Sequence, residues 1–305
     1  MPRTLSTVIA ALAVAAAFLR LPTRTESSVT RQLENADSFT GNVLLLTAHP
    51  DDECMFFAPT ILALTRLQRA EERSSRVYSM CLSAGNADGL GQVRKSELES
   101  SLDMLGIDAD KRLLVDHPDL QDNFTADWDE FTIASVLEQF VVEHDITTIL
   151  TFDEQGVSGH PNHISLPKGV QQLMYTLRDI RLLRLHSLPA LIKYTSILGP
   201  ILLKFDLTIN RFFNSVDRRG TAALERMGFS FAGLVPPPPT GPDPPVFVSG
   251  FREYWTAVQA MRQHSSQLVW FRWLYVAFSR YMWVNEWQEV TVRSQEPIAR
   301  SQEPM

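Results

Sequence analysis

Two short segments carry side chains that together could bind a divalent cation. Ala48–Glu53 reads Ala-His-Pro-Asp-Asp-Glu and directly follows the apolar run Val43–Leu46. Gly159–His163 reads Gly-His-Pro-Asn-His and comes soon after the β-branched run Ile146–Phe152. Imidazole nitrogens and carboxylate oxygens suit zinc, and a catalytic zinc uses three protein ligands and leaves one position for water. We therefore predict a metal site built from both segments. The alternative without a metal is that these side chains only cap helices.

The elements that must position these segments alternate between strand and helix. Apolar runs predict strands over 43–47, 76–82, 112–115 and 146–152, and helical periodicity predicts helices over 53–69, 93–105, 131–144 and 163–178. This alternation predicts an α/β fold with a Rossmann-like, doubly wound and mostly parallel sheet. Such sheets place their active sites at the carboxyl ends of the strands, where both segments fall.

A glycine-rich loop follows the second predicted strand. Gly85, Gly89 and Gly91 invite comparison with a dinucleotide fingerprint, but their spacing is wrong and the loop does not follow the first strand. We therefore expect no nucleotide cofactor.

These motifs resemble those of the zinc-dependent GlcNAc de-N-acetylase family. The resemblance rests on Ala48–Glu53, on Gly159–His163, and on Leu82–Gly91 with Arg94 and Glu97. Within the family, the chain is most similar to the N-acetylglucosaminylphosphatidylinositol de-N-acetylases of glycosylphosphatidylinositol (GPI) anchor synthesis. The resemblance spans about residues 42–173 and returns near the C-terminus, in Trp270–Arg272, Ser279–Tyr281 and Asn285.

The resemblance implies a role for each residue of the motifs. It gives His49, Asp52 and His163 as ligands of Zn²⁺ or another divalent cation, and Asp51 as the general base. Bound zinc lowers the pKa of a water from about 15.7 towards about 7, which would provide a nucleophile for amide hydrolysis. Stabilisation of the intermediate falls to the metal and a protonated His160. Either His160 or the protonated Asp51 then protonates the departing amine.

Two further residues are candidates for contacts with the substrate. Asn162 stands where many bacterial members have aspartate, and we expect its side chain to accept a hydrogen bond and orient His160. Arg94 and Glu97 lie one helical turn apart, so they either form an exposed ion pair of small value or leave Arg94 free to reach a substrate phosphate. We expect Glu53 to brace the following helix.

Composition excludes one class of partner and says little about redox state. The formal net charge is −7, so no basic face for nucleic acid is expected. The two cysteines, Cys54 and Cys81, fall in predicted core elements and make no disulfide framework.

The N-terminus predicts a membrane anchor, with a cleaved signal peptide as the competing interpretation. Leu5 to Leu19 is almost entirely apolar, although shorter than the roughly 20 residues of a usual span. Arg20, Arg24 and Arg31 outnumber Arg3, which places the main domain in the cytoplasm. We expect an endoplasmic reticulum membrane protein with its catalytic domain on the cytoplasmic side.

The predicted organisation is an anchor over 1–21, a linker over 22–40, a catalytic domain over 41–180, a membrane-proximal insertion with a C-terminal helical part over 181–290, and a disordered tail over 291–305. Residues 182–203 are predicted to form a membrane-surface or re-entrant segment, or else a buried helix pair. The aromatic stretch 268–287 suits either a lipid boundary or a core helix. The proline-rich run 236–245 predicts a stiff connector.

Three functions remain open at this point. The first is removal of acetate from GlcNAc-phosphatidylinositol by a membrane-anchored deacetylase, the second step of GPI-anchor synthesis. The second is a soluble or secreted deacetylase of another GlcNAc conjugate. The third is an inactive lipid-binding protein on the same fold.

Overall fold

The computed structural model describes residue 39 and residues 41–70, 76–201, 203 and 245–290. A seven-stranded sheet forms its centre, in the order β3-β2-β1-β4-β5-β7-β6. The strands are β1 Asn42–Thr47, β2 Val77–Cys81, β3 Arg112–Leu114, β4 Ile146–Phe152, β5 Arg181–Leu185, β6 Val246–Val248 and β7 Val284–Val290. The first five pair in parallel, whereas β7 runs antiparallel to both β5 and β6.

Nine α-helices that lie wholly within the described residues connect and cover these strands. They are α1 Asp52–Phe56, α2 Ala58–Ala70, α3 Gly91–Leu105, α4 Glu130–Glu143, α5 Gly156–Gly159, α6 Pro161–Thr176, α7 Ala190–Lys193, α8 Phe251–Gln263 and α9 Trp270–Phe278. Helix α4 packs on α6, and α3 packs on α8. The prediction of a mixed α/β fold with a mostly parallel sheet is confirmed. The chain runs outward from β1 to β3 and then returns to β4 on the other side of β1, so the strand order reverses between β1 and β4.

The helix predicted over 53–69 is broken into α1 and α2 at Phe57. Pro59 explains the break, because a proline lacks the N–H that an unbroken helix needs and its ring clashes with the carbonyl four residues earlier. Asn285 of β7 bridges the gap: its Nδ2 donates to Phe56 O (2.7 Å) and its Oδ1 accepts from Thr60 N (3.1 Å). A buried asparagine thus satisfies the backbone groups that the break leaves open.

The C-terminal part contains strands as well as the helices that the sequence predicted. Residues 181–185 form β5, so the segment predicted over 182–203 begins as a strand, in which Leu182, Leu183 and Leu185 are fully buried. The aromatic stretch 268–287 is likewise divided between α9, a 3₁₀ turn and β7. The reason is pairing: β5 pairs with β4 on one side and with β7 on the other, so β5, β6 and β7 complete the sheet begun by β1 to β4.

Among the described residues, no helix is long and apolar enough to cross a membrane. The predicted anchor over 1–21 and the predicted tail over 291–305 lie outside the described residues, as do nearly all of the linker and the proline-rich connector. Cys54 and Cys81 are both buried and unbridged, in agreement with core positions.

Candidate active site

The two motif segments meet where the strand order reverses. His49, Asp51 and Asp52 follow β1, and His160 and His163 follow β4, its parallel neighbour. Ligand sites of open α/β sheets lie in the crevice at such a switch point. The fold therefore brings together side chains that are more than a hundred residues apart in the sequence.

Asp52 lies between two of the histidines. Its Oδ1 is 3.3 Å from His163 Nε2, and its Oδ2 is 4.0 Å from His49 Nδ1. Oδ2 also accepts from the backbone N–H groups of Ala48 (3.1 Å) and His49 (2.9 Å). Burial opposes ionisation, but the imidazoles of His163 and His49 hold the pKa of Asp52 well below its usual range. Asp52 is thus a fixed, ionised carboxylate.

The remaining nitrogen of each of these histidines is held from behind. His49 Nε2 lies 3.1 Å from Asn162 Oδ1 and 3.3 Å from Asp122 Oδ1. His163 Nδ1 lies 3.1 Å from the carbonyl oxygen of Gly156. Partners of this kind orient ligand imidazoles and select the nitrogen that binds a metal. The nitrogens left facing Asp52 are His49 Nδ1 and His163 Nε2.

His160 completes a group of three imidazoles. Ligand atoms of His49, His160 and His163 all lie within 4.8 Å of one another. His160 Nδ1 accepts from the backbone N–H of Asn162 (3.2 Å), and Nε2 is 3.8 Å from Asp122 Oδ1. Burial, together with the neighbouring imidazoles of His49 and His163, lowers the pKa of His160 to about 4. This shift favours the neutral ring, whereas the family resemblance implied a protonated His160.

The donor set fits a divalent cation. Two atoms that bind one tetrahedral zinc at about 2.0–2.2 Å are roughly 3.3–3.6 Å apart. The distance between Asp52 Oδ1 and His163 Nε2, 3.3 Å, lies in this range. Three clustered imidazoles beside an ionised carboxylate are the mixed nitrogen and oxygen ligands that zinc accepts in catalytic sites.

Asp51 has a strained backbone and a carboxylate with two donors. Its φ is +106°, in the left-handed region that non-glycine residues rarely adopt. Arg272 Nη1 is 2.9 Å from Asp51 Oδ2, and the amide nitrogen of Gln267, oriented by its neighbours, donates to the same oxygen (3.1 Å). Burial, opposed by the Arg272 guanidinium, raises the pKa of Asp51 to about 6.

Glu53 supports the motif turn through the backbone N–H of Asp51. Its Oε2 accepts from the backbone N–H of Asp51 (3.0 Å). Its Oε1 lies 2.7 Å from His264 Nε2 and accepts from Ser101 Oγ (2.5 Å). Both Glu53 and His264 are fully buried, so this pair fixes the turn to the C-terminal part of the chain.

Both motif segments lie within a match to a known protein family. Residues 44–174 match the family model described as PIG-L: GlcNAc-PI de-N-acetylase. The chain is 37% identical to N-acetylglucosaminyl-phosphatidylinositol de-N-acetylase of Bos taurus over 245 residues, which cover 79% of this chain and 81% of that one. The Saccharomyces cerevisiae protein of that name is 34% identical over 267 residues, 81% of each chain. This chain belongs to the GlcNAc-PI de-N-acetylase family.

A solved structure supports the fold of this family member. A deacetylase from the teicoplanin biosynthesis pathway superimposes with a TM-score of 0.50 at 12% identity, covering 83% of this chain and 100% of that chain. The GlcNAc-PI de-N-acetylases are a deacetylase family, and the chain is a deacetylase by that membership.

Arg94 and Glu97 do not form the exposed ion pair considered above. Glu97 is buried and accepts from Ser266 N (2.7 Å) and from the hydroxyls of Ser265 and Ser266. Arg94 instead pairs with Asp122 (3.6 Å) and Asp88 (3.5 Å). Glu97 therefore connects α3 to the loop after α8. Arg94 lies at the edge of the candidate active site, where it contacts Asp122, which also contacts His49.

The side chain of Asn162 contacts His49 in place of His160. It is fully buried, its Oδ1 also accepts from Asn123 N (3.2 Å), and its Nδ2 donates to Ala126 O (3.1 Å). The backbone N–H of Asn162, not the side chain, contacts His160. In this structure Asn162 thus joins His49 to the loop that carries Asp122 and Asn123.

Sequence reasoning missed three residues of the site: Asp122, Arg272 and Gln267. Asp122 lies among several aspartates of one loop, and nothing in the sequence distinguishes it from Asp116 or Asp119. For Arg272 a signal did exist, since it belongs to the C-terminal stretch that resembles the family. No role followed from that resemblance, because its partner Asp51 is more than 200 residues away.

Proposed function

We propose that this protein hydrolyses the N-acetyl group of GlcNAc-phosphatidylinositol, giving glucosaminyl-phosphatidylinositol and acetate in the second step of GPI-anchor biosynthesis. The observation that carries the proposal is the 37% identity to the bovine enzyme named for this substrate, over four-fifths of each chain. The motif residues of this chain also gather in one buried cluster at the switch point of the sheet.

The metal in this proposal is Zn²⁺, held by His49, Asp52 and His163. Asp52 is favoured over His160 as the third ligand because its carboxylate lies between the two anchored histidines and is ionised. When bound, the cation supplies an activated water and a Lewis acid for the amide carbonyl.

The side chains around the metal carry the proton transfers. Asp51 accepts the proton of the attacking water as general base. His160 is neutral and its Nδ1 already accepts a hydrogen bond, so its Nε2–H is free to donate to the oxygen that gains charge. Because His160 has no second proton to give, the protonated Asp51 returns the proton to the departing amine. Arg94, at the edge of the site, is the candidate contact for the substrate phosphate.

Release of acetate from labelled GlcNAc-phosphatidylinositol tests the reaction. The full chain should release acetate, lose this activity after thorough treatment with a chelator, and regain it when zinc is added back. Activity that survives complete metal removal would contradict the metal mechanism. Release from a soluble GlcNAc conjugate but not from the lipid-linked sugar would contradict the substrate.

A membrane partner is supported by an apolar surface next to the site. This surface comprises exposed side chains of α9 and of the segment after β5, which are Trp270, Phe271, Trp273, Leu274, Phe278, Leu191, Tyr194 and Leu198. The two segments are joined by Ser196, which donates from N to Phe278 O (2.9 Å) and from Oγ to Ala277 O (2.6 Å). Exposed apolar patches of this kind are typical of contact sites. Because the proposed substrate is a sugar linked to a membrane lipid, we propose that this surface contacts the bilayer.

The proposed location is the endoplasmic reticulum membrane, with the catalytic part on the cytoplasmic side. The support is the apolar run from Leu5 to Leu19, which has more arginines on its C-terminal side. Asn123 is exposed and stands in the sequon Asn123-Phe124-Thr125, so it reports the compartment directly. A glycan on Asn123 in cells would place the domain in the lumen and contradict this topology.

A further inference from the structure

The carboxylate of Asp51 is held by a part of the chain that lies outside both motif segments. Arg272 Nη1 approaches Asp51 Oδ2 to 2.9 Å, and Gln267 donates to the same oxygen and to Pro50 O, each at 3.1 Å. We propose that Arg272, assisted by Gln267, is a positioning residue that fixes the Asp51 carboxylate for proton abstraction. This inference rests on the proposed function, in which Asp51 is the base.

Backbone and side chain of Asp51 are fixed by different groups. The strained backbone (φ +106°) is held through its N–H by Glu53, which His264 and Ser101 fix in turn. That support leaves the side-chain torsion of Asp51 undetermined. Arg272 and Gln267 supply the missing restraint, and because both meet Oδ2, the other oxygen remains to take the proton.

Arg272 is itself well fixed. Its Nη1 lies 2.6 Å from Met55 Sδ, one turn along α1 from Asp51. The next turn of α9 is anchored on the same residue, since Tyr275 Oη donates to Met55 O (3.4 Å). The Tyr275 ring also contacts the Phe56 ring, with 5.6 Å between centroids. Helix α9 is thus packed against α1 through Arg272 and Tyr275, and this packing holds Arg272 next to Asp51.

Arg272 is 29% exposed at its side chain, so direct binding of substrate phosphate is the competing role. The two roles differ in kinetics. Removal of a residue that orients the base affects the chemical step and lowers kcat. Removal of a residue that only binds the phosphate raises KM and leaves kcat unchanged.

The kinetic experiment uses the full chain and GlcNAc-phosphatidylinositol. Arg272→Met keeps the length and apolar packing of the side chain and removes the donors. We expect kcat to fall by about 10²-fold, the loss that a misplaced catalytic group can cause, with KM changed less than threefold and zinc content unchanged. Arg272→Lys should retain part of the activity. Arg66→Met, which removes an arginine that is 70% exposed, should match the wild type.

Three outcomes of this experiment would overturn the proposal. An unchanged kcat in Arg272→Met would show that Asp51 needs no such restraint. A raised KM at unchanged kcat would make Arg272 a substrate-binding residue. Loss of zinc together with activity would make its role structural.

A second measurement needs no substrate and so separates this inference from the proposed function. Thermal unfolding of Arg272→Met, Asp51→Asn and the double variant forms a cycle that measures their interaction. We expect the melting shift caused by Arg272→Met to be smaller in the Asp51→Asn background. Additive shifts would overturn the contact, whatever the substrate. If the wild type releases no acetate from GlcNAc-phosphatidylinositol while the cycle is non-additive, only the proposed function fails.

Discussion

Asp51 and Asp52 are neighbours in the sequence, but the fold gives them opposite environments. Asp52 faces two imidazoles and two backbone N–H groups, which hold its pKa low. Burial raises the pKa of Asp51 to about 6, against the opposing charge of Arg272. When the pKa values of two neighbouring carboxylates differ in this way, one commonly stays ionised while the other exchanges protons during the reaction.

The two aspartates should therefore fail in different ways when substituted. Asp51→Asn should abolish turnover and retain about one zinc per chain, the content of a single catalytic site. Asp52→Ala should lose zinc together with turnover, because it removes a ligand. Metal analysis of the purified variants beside acetate release checks both. If Asp51→Asn loses the metal and Asp52→Ala keeps it, the roles are reversed.

His160 distinguishes the proposed ligand set from one of three histidines. If Asp52 is the third ligand, His160→Ala should keep its zinc and lose about 10²–10⁴-fold in kcat, the range for a hydrogen-bond donor or acid in the transition state. His163→Ala is the matched variant and should lose zinc. Loss of zinc from both variants would identify His160 as a ligand.

At the scale of elements, the break between α1 and α2 decides where the motif turn lies. Pro59 ends α1 after five residues, and Asn285 of β7 bonds both sides of the gap. Asn285 is fully buried, so each of its bonds replaces one that water cannot supply. The position of the motif turn thus depends on β7, a strand more than 200 residues later in the sequence.

Removal of this bridge should destabilise the fold measurably. Asn285→Ala removes the donor to Phe56 O and the acceptor of the Thr60 hydroxyl, so we expect the free energy of unfolding to fall by about 1–3 kcal/mol. Denaturant or thermal unfolding measures the change. Gln288→Ala, at an exposed position of the same strand, should stay within about 0.5 kcal/mol of the wild type. Equal stability of the two variants would show that the bridge contributes nothing.

The parallel half of the sheet could be predicted because its signals are local. The runs 43–47 and 146–152 are apolar, follow β-strand composition and end in turn residues, and both strands occur within one residue of the prediction. Strand β5 could not be recognised in this way. Its five residues, Arg-Leu-Leu-Arg-Leu, open a longer apolar stretch, and only the pairing with β4 and β7 makes them a strand.

For the site, the residues on the two motif segments could be predicted and their partners could not. The sequence pointed to His49, Asp51, Asp52, His160 and His163 because histidine and aspartate cluster there. It could not show that Glu97 would pair with Ser266 and not with Arg94, since the two residues lie 169 positions apart. Selection among several equivalent donors is decided by tertiary packing.

At the scale of the whole molecule, the apolar surface of α9 and the segment after β5 faces outward, while α9 directs Arg272 inward. If this surface lies on a bilayer, tryptophan emission of the full chain in vesicles should be quenched by brominated acyl chains. Trp270 and Trp273 should account for most of this quenching, because Trp128, Trp283 and Trp287 are buried and the exposed Trp255 belongs to α8, outside this surface. A Trp270→Phe/Trp273→Phe variant should lose most of it. Unchanged quenching in that variant would exclude contact through α9.

The joining of both ends of the sequence at one site has a consequence for synthesis. Glu53 can pair with His264 only after another 211 residues have been synthesised, and Thr60 can bond Asn285 only after another 225. At about 5–20 residues per second, the ribosome needs roughly 10–40 s to supply the second partner. During that interval the nascent chain carries Glu53 without its histidine partner and a helix break without its asparagine. A chain that stops before residue 264 therefore never completes the site, however much of the motif region it contains.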